Sequence, residues 1–171
     1  IVSVNPLREA GLVGFDNPQD LRGILHMNPT LTDLYLQVRI NGDLPLLQAT
    51  GKLLLEEERL APGQVLDMEF IERNSVGFTE YTAHLEKLDA QELAEQAGLD
   101  FSLVLELVKI LRYKKRIIVC WAMGLTQQEN AVDTIREIVN LLLLKGSIGI
   151  PGGGTCPVRG HSNVQGDRTM G

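Results

Sequence analysis

Cysteine is scarce in this sequence, with Cys120 and Cys156 the two among 171 residues. They stand too far apart for a CxxC pair and neither has a histidine at metal-ligand spacing, which excludes a zinc or iron–sulfur site built within the chain. Two cysteines also make no disulfide framework, so a reducing compartment, the cytoplasm, is the expectation. A surplus of basic charge is missing too. The formal net charge is −6 and the pI about 5.1, whereas a nucleic-acid partner needs a clustered basic face. The one basic run, "RYKKR" at 112–116, reads as the end of a helix, where cations complement the macrodipole. Long apolar runs are lacking as well: "VCWAMGL" and "LLLL" are core-sized, which leaves neither a membrane span nor a signal peptide. An initiator methionine is absent; the chain opens on "IVSVN" and closes inside a glycine-rich stretch. It is read as part of a longer polypeptide.

What is present is the composition of a soluble globule, 44% hydrophobic and 22% charged, with no convincing linker and no repeat. A single domain over 1–171 is the working count. "IVSVN" reads as a buried parallel strand stopped by Pro6, and 7–33 as turn-rich around a short helical piece, with "DNP" at 16–18 and "NPT" at 28–30. "LYLQVRI" alternates, which predicts a strand over 34–40 with Leu34, Leu36, Val38 and Ile40 on one face. Asp43 is expected to cap the helix that follows, with Pro45 in its first turn. Two short helices are predicted across 67–86, separated by Gly77. "DAQELAEQAG" carries a capping Asp89, a glutamate three residues on and a stopping Gly98. Asp100 or Ser102 opens a further helix. "RIIVCWAMG" at 116–124 reads as a second buried strand, and 128–146 as a helix with Ala131, Ile135, Ile138 and Leu142 on one side. Alternating strands and helices imply βαβ units: an α/β fold with a Rossmann-like parallel sheet flanked by helices.

In such sheets ligands lie at the carboxyl ends of strands. "SVNPLRE", "RINGD" and "CWAMGLTQQEN" are the three visible ends, each with a glycine or proline turn and polar side chains. Asn5 and Asp43 are suited to ribose hydroxyls or a guanine edge; Gln127 and the amides near Gly124 are suited to a phosphate or heterocycle. Each residue alone is also an ordinary turn or capping residue. The segment 146–171, "GSIGIPGGGTCPVRGHSNVQGDRTMG", has neither the GK[ST] of a P-loop nor a helix straight after "PGGG". Read as extended backbone, it puts Arg159, His161, Asn163 and Gln165 on one side. Arg159 offers a fixed planar cation for an oxyanion, or a structural ion pair; His161 can donate, accept or titrate.

In order along the chain, "NGDLPLLQATGKLLLEE", "GFTEYTAHLE" and "WAMGLTQQENAVDTIREIVNLLLLKGSIGIPGGGTCPVRGHSNVQGDRTMG" resemble the catalytic alpha subunit of molybdopterin oxidoreductases of the formate-dehydrogenase-like kind. The resemblance covers essentially the whole chain, and its tail is the most specific part. It implies the formate dehydrogenase/DMSO reductase catalytic-subunit fold, of which 1–171 is the α/β dinucleotide-binding region and 146–171 the entry into the active site. It further implies molybdenum held by two molybdopterin guanine dinucleotides, with an iron–sulfur cluster in an upstream part. No metal ligand falls in this chain. By the same resemblance Asn5, Gly42 and Asp43 contact the nucleotide, Met123, Gly124 and Gln127 form the turn that packs on a pterin, and His161 and Asn163 lie on the cofactor. Arg159 matches the active-site arginine that holds substrate, and His161 accompanies it as a second catalytic residue.

Two departures from the formate dehydrogenases stand out. Leu7 replaces an arginine of their strand-end turn, displacing the charge to Arg8, and His161 stands where they have glutamine. The expectation is therefore an oxidoreductase of a small, anionic substrate, formate or another, working with the remainder of its polypeptide and an electron-transfer partner, without nucleic acid or a membrane span. The alternative is a cofactor-holding or interaction module without catalysis of its own.

Overall fold

Side-chain caps set the starts of two helices. The computed structural model describes residues 1–14, 30–161 and 164–170; the turns expected at 16–18 and at Asn28–Pro29, and the site residue Asn163, lie outside them. Strand β1 (Val2–Val4) and the short helix α1 (Ala10–Val13) precede β2 (Leu34–Leu36). The long helix α2 (Asp43–Leu60) is followed by α3 (Met68–Asn74), α4 (Phe78–Glu86), α5 (Ala90–Ala97) and α6 (Phe101–Arg112). Then come β3 (Ile118–Trp121), α7 (Met123–Thr126), α8 (Ala131–Leu144), β4 (Gly154–Pro157) and α9 (Val164–Met170). Asp89 accepts from the backbone N–H groups of Gln91 and Glu92 at the start of α5, and Gly98 ends it at φ 80°, so both expected stops hold. Asp67 likewise accepts from Phe70 N–H at the start of α3.

The core forms around α2, which packs against α4, α5, α6 and α8. Leu46, Ala49 and Leu54 on its inner face are fully buried against Leu85, Ala94 and Val104, the stripe that helical periodicity demands. Two charged groups are admitted to this interior, each with a partner. Lys145, just past α8, donates to the backbone oxygens of Val65 and Arg112. Glu137 accepts from the Tyr81 hydroxyl at 2.8 Å.

The parallel pairing expected of the strands is found, as two short sheets. β1 pairs with β2 in the register Val2 with Leu34 through Val4 with Leu36, and β3 pairs with β4 from Ile118 with Gly154 through Trp121 with Pro157. Three readings need correcting. β2 spans three residues, and while Leu34, Leu36 and Val38 are buried, Ile40 is 76% exposed; the chain turns at Ile40–Asn41 and the alternation breaks there. β1 and β3 are not buried strands throughout: β1 runs half-buried, buried and exposed, its sheet meeting the core through Leu34 and Leu36, while Ile118 is 57% exposed and no residue of β3 or β4 is buried. The tail is extended only to Pro157, and Val164–Met170 is helical, so the alternation that aligned Gln165 with Arg159 and His161 does not exist.

Candidate functional site

Parallel strands end at a common edge, and the turns there carry most of the residues singled out by the sequence. At the end of β1, Asn5 N–H donates to Leu36 O at 3.1 Å, while its side-chain amide donates to Leu7 O at 2.6 Å. The Asn5 side chain thus shapes the turn. Arg8 lies over the Tyr35 ring, 6.0 Å from its centroid, and the Tyr35 hydroxyl donates to Leu7 O, so the displaced arginine is held by the same turn.

The turn after β2 approaches α5 closely. A Cβ on Gly42 would sit 2.7 Å from the Ala97 carbonyl oxygen and 2.8 Å from that of Arg39; only glycine fits. Gly42 rather than Asp43 is the N-cap of α2, and no side-chain cap is made. The expected role of Asp43 is therefore corrected: it is the first residue of the helix, and its carboxylate accepts from the Gln128 side-chain amide at 3.1 Å. Gln128 also donates to Gly124 O at 3.2 Å. One side chain thereby joins the turn after β2 to the turn after β3. Beside the first of these an open groove of about 1180 Å³ runs between Pro6, Gln37, Arg39, Gly98 and Leu103.

Met123 and Gly124 begin the single-turn helix α7 and both are exposed; Gln127 caps its end through a backbone bond to Met123 O and is exposed as well. After β4, Val158 N–H donates to Trp121 O at 2.7 Å, which keeps the outgoing segment alongside the end of β3. A Cβ on Gly160 would stand 4.0 Å from the Met123 methyl. Arg159 and His161, both exposed, flank that glycine and so leave the sheet at the Met123 end. The structure brings Gly42, Asp43 and Gly124 together through Gln128. It sets Met123 near the Arg159–His161 segment, and shows no contact between Asn5 and these groups.

Sequence reasoning passed over Gln128 and Asn130. The Gln128 Oε1 and Asn130 Oδ1 atoms are buried and have no hydrogen-bond partner among the described residues, which is uncommon for buried polar atoms. The signal was the polar run "QQEN" directly after a strand-end turn, which helix-start statistics absorb as capping. Among the described residues no group of three or more His, Cys, Asp or Glu side chains is placed to hold a metal ion, and no helix is long and apolar enough to cross a membrane.

No family model matches the chain. Over 171 residues it is 44% identical to an uncharacterized oxidoreductase of Mycobacterium tuberculosis, the match covering all of this chain and 22% of that protein. It is 40% identical over 176 residues to the protein YdeP of Escherichia coli, across all of this chain and 23% of the relative. With formate dehydrogenase H of Escherichia coli it shares 29% identity over 141 residues, 82% of this chain and 19% of the relative. The chain thus spans about a fifth of the length of the curated relatives it matches. Its fold superposes on acetylene hydratase from Pelobacter acetylenicus with a TM-score of 0.68 at 20% identity, covering 88% of this chain and 18% of the other.

Proposed function

Starting from a chain that corresponds to a segment of polypeptides of the molybdopterin oxidoreductase family, we propose that it builds one side of the cradle for molybdopterin guanine dinucleotide in a molybdenum-dependent, formate-dehydrogenase-like oxidoreductase. The observation that carries this reading is the Gln128 amide bridging Asp43 and Gly124, which couples two strand-end turns into one edge. The residues present fit the group. Buried Gln128 Oε1 and Asn130 Oδ1 want donors, as a guanine edge or ribose hydroxyls would supply. The turn through Arg39 and Ile40 lines one wall of an open groove, along which a nucleotide can lie. Asn5 is assigned to the nucleotide, and exposed Met123 with the Gly124 backbone offers an apolar platform to a pterin, with Gln127, His161 and, by the resemblance of the sequence alone, Asn163 assigned to the same cofactor.

When bound, the molybdenum cofactor supplies the two-electron redox chemistry, and the polypeptide supplies placement and electrostatics. Arg159 is a permanent cation with a planar fork, suited to orient a small anionic substrate and to stabilise charge that develops on it. His161, two residues on, hydrogen-bonds the cofactor or relays a proton. A second dinucleotide, an iron–sulfur cluster, the molybdenum ligand and the electron-transfer partner belong to the rest of the polypeptide and its assembly in this reading.

The test is to assay molybdenum, iron and acid-released guanosine monophosphate in the full-length protein from a host able to make the cofactor. Roughly two guanylates per molybdenum are expected from a working enzyme of this kind. Absence of all three would leave a nucleotide fold without the proposed chemistry. Arg159→Ala is expected to lower turnover roughly 10²- to 10³-fold, the scale of a lost preorganised charge contact, with molybdenum content unchanged; wild-type turnover in that variant removes Arg159 from the mechanism.

A further inference from the structure

The Gln128 side chain reaches Asp43 across 85 residues of chain, its Nε2 donating to Oδ2 at 3.1 Å. The same nitrogen donates to Gly124 O at 3.2 Å. A primary amide carries two hydrogens on its nitrogen, so this pair of bonds uses both. The Oε1 atom, by contrast, is buried and has no partner among the described residues. These contacts fix which way the amide points. Turned about, its oxygen would face a carboxylate and a carbonyl, acceptor against acceptor with no proton between them.

An amide kept for the fold alone is expected to have its oxygen paired as well, because an unpartnered buried acceptor costs stability. What Gln128 supplies in return is a fixed geometry at two turns. Its bond to Oδ2 holds the Asp43 carboxylate in one orientation at the first residue of α2, directly after Gly42, where a Cβ would collide with backbone oxygens. A neutral amide orients that carboxylate without cancelling its charge, which lysine or arginine in the same place would do. The charge keeps Asp43 a strong acceptor for a ligand's N–H or O–H groups. The second bond holds the carbonyl of Gly124 in α7, and with it the turn that follows β3.

We infer that Gln128 is a positioning residue for the cofactor: it sets the Asp43 carboxylate for the nucleotide and the Gly124 turn for the pterin, so that one side chain holds both seats in a single geometry. The inference rests on the cradle reading above and adds a dependence which that reading does not require. Asp43 holds the nucleotide only in the orientation that Gln128 gives it. For nucleotide retention the two residues then act as a unit, and their substitutions do not add.

The experiment follows the full-length, cofactor-loaded protein through timed gel filtration and reads the acid-released guanosine monophosphate that stays with the chain. Gln128→Met, of similar length but apolar, is compared with Asp43→Ala and with the double variant. Each single variant is expected to release guanylate roughly 10- to 100-fold faster than the wild type, the scale of a lost hydrogen bond to a charged group. The double variant should be no faster than the quicker single one, and the cofactor-free forms should melt with the wild type. Where methionine lowers that melting temperature, Gln128→Glu, which keeps the shape and removes the donors, makes the same comparison. Wild-type release from the Gln128 variants while Asp43→Ala is fast overturns the inference and leaves the cradle reading standing. A double variant whose effect is the product of the single ones does the same. Wild-type release from Asp43→Ala, or a wild-type protein without guanylate, removes the cradle reading and the inference with it.

Discussion

Glu58 shows how one side chain can hold a loop. Its carboxylate accepts from the backbone N–H groups of Gly63, Val65 and Leu66, so the chain folds over the end of α2 without leaving those amides bare. Burial by itself would raise the carboxyl, but the three amides, from Gly63, Leu66 and Val65, outweigh it, and the group is held below the ordinary value of 4.5. A depressed folded-state pKa stabilises fully above the unfolded value, and that stabilisation is lost as pH falls through the folded one. Glu58→Ala is expected to cost about 1 to 2 kcal/mol at neutral pH, less than three charged hydrogen bonds in a dry site because solvent screens the group. In denaturant titrations the gap between variant and wild type should narrow as pH falls below the ordinary carboxyl value of 4.5; a gap that stays constant into acid would deny the carboxylate its role. Asp43 belongs to the same scale. Asp43→Ala removes the acceptor that links the two turns, and the full-length protein is expected to retain less guanylate per chain while α2, capped by Gly42, keeps its length by circular dichroism.

Helix α5 connects local stability to the groove. Its start rests on Asp89, and Asp89→Ala should lower stability by about 1 kcal/mol, the usual cost of a lost N-cap. Its end rests on Gly98 at φ 80°, where an added Cβ would meet the Arg39 side chain at 2.5 Å from Cγ. Gly98→Ala is expected to cost about 1 to 2 kcal/mol for the left-handed backbone. It should also displace Arg39 from the groove wall, so nucleotide retention falls in this variant and not in Asp89→Ala. Equal retention in the two would mean that the groove is not the nucleotide site. These boundaries were legible in the sequence because caps and stops act over three or four residues, whereas the strand lengths were not. "LYLQVRI" alternates through Ile40, yet the ladder ends at Leu36 because the partner strand turns away at Asn5 and Pro6.

At the scale of the whole molecule, helices around α2 make a closed core while the β3–β4 sheet stands open, with Ile118, Met123 and Val158 each more than half exposed. Parallel sheets are ordinarily covered on both faces, and apolar patches of this kind seek partners. The 171-residue chain expressed alone is therefore expected to self-associate, its apparent mass by light scattering rising with concentration, and the longer polypeptide to behave as a discrete species. A constant monomer mass at high concentration would show that the open sheet is tolerated as it stands.

The sequence by itself determined the α/β class, the succession of helices from Asp43 to Arg112, the caps at Asp89 and Gly98 and the buried stripe of α8, because each depends on neighbours within a turn or two of the chain. Motif by motif it also pointed to the family of the relatives. Only the tertiary structure decided which distant residues meet. Gln128 reaches Asp43, Cys120 lies beside Cys156, and the glycine-rich tail leaves its strand at Pro157 to become helix. Those contacts follow from crossover connections and strand register, where a shift of one residue turns every side chain to the other face, and no local pattern of residues records that register.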